Sequence, residues 1–154
     1  MHENLMTVKS VTAAALTAAT AFLGWKGILL FAWVSVMALD YLSGTLAACR
    51  EGQWSSAVAR QGLWHKGGMI LVVTVAAISD SVLMLLAAQM PLGISWTGLV
   101  LPLVLAWYIL TELGSILENA VKMGANVPFW LVGILKAGIR MTESAGESAA
   151  EELK

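Results

Sequence analysis

Three stretches of this chain read as membrane-spanning helices. Residues 28–49, 67–90 and 98–121 are each apolar over at least the roughly 20 residues that a spanning helix requires. Each also carries acid that hydrocarbon resists: Asp40 in the first, Asp80 in the second, Glu112 and Glu118 late in the third. With 58% hydrophobic and only 12% charged residues, against about 25% charged in soluble domains, the chain cannot coat a soluble fold with polar surface. The reading is an all-α integral membrane protein with three firm transmembrane helices.

The chain divides around these spans. Residues 1–27 form a weakly amphipathic N-terminal helix and a turn. Leu5, Val8, Val11, Ala15, Ala19, Phe22 and Leu23 share its broad apolar face, opposite Ser10 and Thr17. From Ser10 to Trp25 it is short for a span, so it is expected at the interface, with a fourth span left open. Residues 11–24 are rich in Ala and Thr and lack the apolar core of a secretory signal. Residues 28–121 are the membrane domain. Residues 122–141 are a turn and an amphipathic interfacial helix, and residues 142–154 an acidic, flexible tail.

The most informative stretch runs from Thr111 to Leu131, TELGSILENAVKMGANVPFWL. On a helix Glu112, Ser115 and Asn119 line one stripe, with Glu118 and Lys122 as an i, i+4 pair on its flank. Gly124 and Asn126 then stop the helix, and Pro128 suits the first turn of the next. In that next helix, 129–141, Lys136 and Arg140 make a narrow basic stripe on an otherwise apolar surface. It is too short to cross and is expected to lie on the membrane.

Asp40 and Asp80 sit well inside their spans, where a carboxylate costs roughly 2.5–3.5 kcal/mol on insertion scales. Asp40, Ser43, Gly44 and Ala47 share a face, and Gly44 with Ala48 forms a small-xxx-small pair of the kind that lets helices approach closely. Thr74, Ala76, Ala77, Ser79, Asp80 and Ser81 make a small polar patch on the second span. Such faces can pack into helix interfaces, line water in at least one state, or hold carboxyls that stay neutral.

The remaining residues have plainer readings. Arg60, Lys66, Lys136 and Arg140 are interfacial basic residues, and Lys26 and Lys66 are placed to snorkel at span ends. Trp25, Trp54, Trp64 and Trp96 read as interface anchors, and Trp33 and Trp107 as packing. His2 and His65 have no partner at ligand spacing, so no metal or other cofactor is expected. Ser43-Gly44 lies near no histidine base, and no phosphate-binding glycine loop is present. The inventory points away from an enzyme. The net charge of −1 gives nucleic acid no bulk attraction.

Lys and Arg set the expected orientation. Arg50, Arg60 and Lys66 lie between the first two spans, and Lys122, Lys136 and Arg140 follow the third, while the turn between the second and third has none. The first loop and the C-terminus are therefore expected in the cytoplasm. Three spans then leave the N-terminus, with Lys9, outside; a fourth would return it to the cytoplasm.

Four features in order resemble the phage holins of the toxin-secretion and phage-lysis family. They are the late aspartate and small-residue run of the first span, Leu39-Asp40-Tyr41-Leu42-Ser43-Gly44-Thr45-Leu46-Ala47-Ala48; the loop residues Ser55, Ser56, Arg60, Gly62 and Lys66; the second-span Asp80; and Glu112-Leu113-Gly114-Ser115-Ile116-Leu117-Glu118-Asn119 followed by Gly124 and Val127-Pro128. The resemblance covers about residues 28–141, and the Ala/Thr-rich residues 11–24 depart from it. It implies a homo-oligomer in the bacterial cytoplasmic membrane that opens at a set moment. A cell-wall-degrading endolysin, or a large toxin, would then leave as cargo without stable binding, and an antiholin could be a partner. A small ion or proton channel or a transporter accessory subunit is the competing expectation, since membrane carboxylates also serve proton relays. An antiholin or structural membrane subunit is the third.

Overall fold

The computed structural model describes residues 24–90 and 96–152, together with positions 6, 7, 9–11, 13, 14, 17, 18 and 21, each of which is helical. The expectation of one interfacial or spanning helix over 5–24 lies in part outside the described residues, as does most of the expected turn at 91–97. Four long helices make up the rest: α1, Trp25–Arg50; α2, Ser56–Gln89; α3, Val100–Lys122; and α4, Phe129–Glu151. No strand occurs among the described residues. The first three are long and apolar enough to cross a membrane.

The helix ends follow from local chemistry. Gly24, at φ 61°, breaks the chain before α1. At its other end the N–H of Gly52 donates to the carbonyl of Cys49, and that of Gln53 to Ala48, with Gly52 at φ 67°. This is a Schellman motif, which a glycine in left-handed conformation completes. The same motif closes α3: Gly124 donates to Val121 and Ala125 to Ala120, and Pro128 precedes the first turn of α4. The expected stop at Gly124 and restart at Pro128 are both present.

Two segments differ from expectation. Residues 56–66, read as loop, are the first turns of α2. The Ser55 hydroxyl accepts from the Val58 N–H at 3.2 Å, an N-cap that satisfies one of the free donors there. The polar loop shrinks to residues 51–55. The acidic tail is also not loose, because α4 continues to Glu151. Glu143 accepts from the Trp107 indole at 3.1 Å, and Gly146, Ala149 and Ala150 lie beside Leu99, Leu103 and Val104. Helix α4 therefore runs antiparallel along α3, and the small residues of the tail permit the approach.

Helix α3 is the centre of the bundle, packed by α1, α2 and α4, whereas α1 and α2 meet only lightly. Trp33, Met69, Val73 and Leu105 form the apolar core, flanked by Leu29, Leu30, Met37, Leu101, Val104, Tyr108 and Ile109. On α2 the buried residues are Lys66, Met69, Val73, Ala76 and Asp80, a seam three and four residues apart that marks one helix face. Leu71, Val75, Ile78, Val82 and Leu85 on the opposite side are exposed. In a membrane protein that side suits lipid.

Candidate functional site

The buried face of α2 has a charged residue at each end and carbon between. Lys66 and Asp80 are fourteen positions apart, roughly 21 Å at the α-helical rise. Each anchors a distinct polar centre.

At the first centre Lys66 enters between α1 and α3. Its ammonium lies 2.6 Å from Asp40 Oδ2 and is paired as well with Glu112 Oε2. Lys66 is 9% exposed and Glu112 4%, so the pairing is shielded from solvent competition. On the far side of Asp40, Asn119 Nδ2 donates to Asp40 Oδ1 at 3.4 Å and to Ser43 Oγ at 3.1 Å. Gly44 lies beside this amide, where a Cβ would sit at ordinary contact distance, 3.5 Å from Asn119 Nδ2. Glu112 and Asn119 are two turns apart on one stripe of α3, and both are buried with Leu105. The expected small polar face of α1 and acidic stripe of α3 therefore meet, and Lys66 joins them.

Lys66 points inward rather than along the membrane surface. It was expected to snorkel at a span end. The eleven residues before the expected span are helical, so Lys66 falls in register with Met69, Val73, Ala76 and Asp80 and turns inward. Ser115 lines a cavity of about 230 Å³ beside this centre, together with Asp40, Gly44, His65 and Asn119. Much of the rest of its lining, Trp54, Val58 and Ala59 included, is apolar.

At the second centre Asp80 caps a helix to which it does not belong. The α3 N-terminus has no side-chain cap of its own. Instead Asp80 Oδ1 accepts from the Val100 N–H at 3.0 Å and Oδ2 from the Leu101 N–H at 2.9 Å. Free N–H groups and the helix dipole both favour a carboxylate there. The Trp96 indole adds a third donor at 3.0 Å. Lys26 Nζ donates to the Gly98 carbonyl at 2.8 Å, so Lys26 and Trp96 belong to this centre rather than standing only as anchors.

The remaining expected site residues are elsewhere. Glu118 is exposed and, with Lys136, lines a cavity of about 460 Å³ between α3 and α4. Arg60, Lys136 and Arg140 are exposed. Gly124 makes the α3–α4 corner, where a Cβ would come 2.8 Å from the Arg50 guanidinium. Among the described residues no three His, Cys, Asp or Glu side chains converge as metal ligands.

The two centres perform one kind of chemistry, namely satisfaction of buried charge by partners on other helices. Helices α1, α2 and α3 are fixed in mutual register by ions that would be costly in lipid without those partners.

Comparison with known proteins agrees with this multi-pass architecture. The chain is 36% identical to an uncharacterised protein of Halalkalibacterium halodurans over 81% of this chain and 91% of that one. It is 31% identical to an uncharacterised 14.9 kDa protein in the nagH 3′ region of Clostridium perfringens, over 64% of this chain and 67% of that one. An uncharacterised Listeria monocytogenes protein is 32% identical over 62% of this chain and 60% of its own. No solved structure matches. Residues 17–137 match the bacteriophage holin family, and the chain is therefore a member of that family.

Proposed function

We propose that this protein accumulates in the cytoplasmic membrane of a bacterium, assembles into homo-oligomers and opens holes at a timed moment. A cell-wall-degrading endolysin, or a large toxin, then passes as cargo. The supporting observation is the Asp40–Lys66–Glu112 cluster. Charge at membrane depth is tolerated in a single copy because Lys66 satisfies both carboxylates. Such a bundle can be stored closed. Separating α1, α2 and α3 would leave the same groups lining water, which favours a wet lumen over lipid.

In this reading Asp40, Ser43, Glu112, Ser115 and Asn119 form the polar wall of the open state, and Asp80 keeps α3 capped. The lipid-facing side of α2 stays in hydrocarbon throughout. The positive first loop and the Lys122–Arg140 segment favour the cytoplasmic side for the α1–α2 and α3–α4 connections.

The test is leakage from phosphatidylethanolamine/phosphatidylglycerol vesicles loaded with a small dye and a folded protein together. Release of both supports holes of protein size. Release of dye alone supports the small-channel reading, and release of neither fits an antiholin or structural subunit.

A further inference from the structure

Helix α4 carries a stripe of charge whose members form no ion pair with one another or with the rest of the described fold. Lys136, Arg140, Glu143 and Glu147 are all exposed and follow one another at spacings of four, three and four. At about 100° per residue they fall in one narrow stripe. Its N-terminal half is basic and its C-terminal half acidic. Within a single helix this order is mostly unfavourable: two like-charge pairs sit at i, i+4 against one opposite pair, Arg140 and Glu143, at i, i+3, and the basic residues precede the acidic ones, against the helix dipole. None of these four residues forms a salt bridge with another described residue of the same copy. Glu143 meets only the Trp107 indole.

The stripe is complementary to itself in reverse. We infer that α4 pairs antiparallel with α4 of a second copy, with Lys136 against the second copy's Glu147 and Arg140 against its Glu143. The four residues are placed symmetrically about a point between Met141 and Thr142, so one two-fold axis forms all four pairs. That is an isologous contact.

The membrane fixes how such a pair can lie. Two copies inserted in the same direction are related by an axis along the membrane normal, so their α4 helices can be antiparallel only across the membrane surface. The amphipathic pattern fits that position. The stripe lies at roughly a right angle round the helix from buried Leu135, counted at 100° per residue. With the Leu135 and Ile139 face turned into the membrane, the stripe points sideways at a neighbour. Helix α4 must then leave α3. The non-helical residues 124–128 provide the corner, and the move gives up the contacts of α4 with α3, the Trp107–Glu143 hydrogen bond among them. This inference rests on membrane placement and not on hole formation, so its failure leaves the proposed function standing.

The test is zero-length carbodiimide cross-linking of the full chain in phosphatidylethanolamine/phosphatidylglycerol vesicles, mixing unlabelled and ¹⁵N-labelled protein. Lys136 and Glu147 of one helix are roughly 16 Å apart, so a direct Lys136–Glu147 link can form only between copies. The expected result is that link with mixed isotopes. An acidic-stripe variant (Lys136→Glu, Arg140→Glu) and a basic-stripe variant (Glu143→Lys, Glu147→Lys) should each lose the stripe-to-stripe link alone and regain it near the wild-type yield when combined. Circular dichroism checks that both remain helical. The pairing is overturned if wild-type copies held together by a long lysine-to-lysine linker give no Lys136–Glu147 link. It is overturned equally if two helical variants fail to link when mixed.

Discussion

Lys66 on α2 and Glu112 on α3 form a buried ion pair, 46 positions apart in the chain. Asp40 on α1, 2.6 Å from the same ammonium, makes it a three-helix junction. Two carboxylates share one cation, so the junction is sensitive to the loss of any member, and of Lys66 most of all.

Lys66→Met should destabilise the protein by about 3–5 kcal/mol, because it leaves two carboxylates buried without their cation. Combining it with Asp40→Asn and Glu112→Gln removes the orphaned charge and should recover most of that loss. Denaturant unfolding in detergent micelles measures both. A triple variant no more stable than Lys66→Met would show that the junction contributes through packing rather than charge.

Asp40→Asn, Asp80→Asn and Glu112→Gln, made singly, should shift the onset of lysis when the chain is expressed. Each changes a group that is paired in the closed bundle and, in the proposed open state, meets water or caps a lumen-lining helix. Growth curves with an endolysin present record the shift. Unchanged onset in all three would detach these carboxylates from opening.

Asp80→Ala should cost about 1–3 kcal/mol, since the Val100 and Leu101 amides lose their acceptor in a part-buried setting. The damage should be local. Hydrogen exchange at those amides should rise well above that around Lys66, and uniform acceleration along the bundle would contradict a capping role.

Gly98→Ala should be destabilising for two separate reasons. Its φ of 76° is left-handed, costing an L-residue about 1–2 kcal/mol. An added Cβ would also come 2.5 Å from Lys26 Nζ. Adding Lys26→Ala relieves only the second, so the double variant should lie between Gly98→Ala and wild type by thermal unfolding, once the loss in Lys26→Ala itself is subtracted.

Much of this architecture is legible in the sequence because membrane helices announce themselves by length and by the few acidic residues that interrupt them. The spans follow from length, the turn from Gly124 and Pro128, and the separate faces that carry Asp40, Ser43 and Gly44 on α1 and Glu112 and Asn119 on α3 from helical spacing; that these two faces meet each other does not. Nor does the destination of Lys66. It sits in REGQWSSAVARQGLWHK, whose polarity reads as loop, and only the Ser55 cap turns residues 56–66 into helix and sets the register that points Lys66 inward. The capping role of Asp80 is hidden for a similar reason: its partners are backbone N–H groups of another helix, which carry no side-chain signature. The length of α4 is obscured because Ala, Gly and Glu favour no packing partner until α3 provides one.

The most direct measurement of the central claim is made in living cells. The chain is expressed alone in bacteria, and membrane potential and leakage of a folded cytoplasmic enzyme are followed together. A delayed, abrupt and simultaneous loss of both is the predicted result. Sustained potential, or a collapse of potential with the enzyme retained, would contradict holes large enough for a protein to pass.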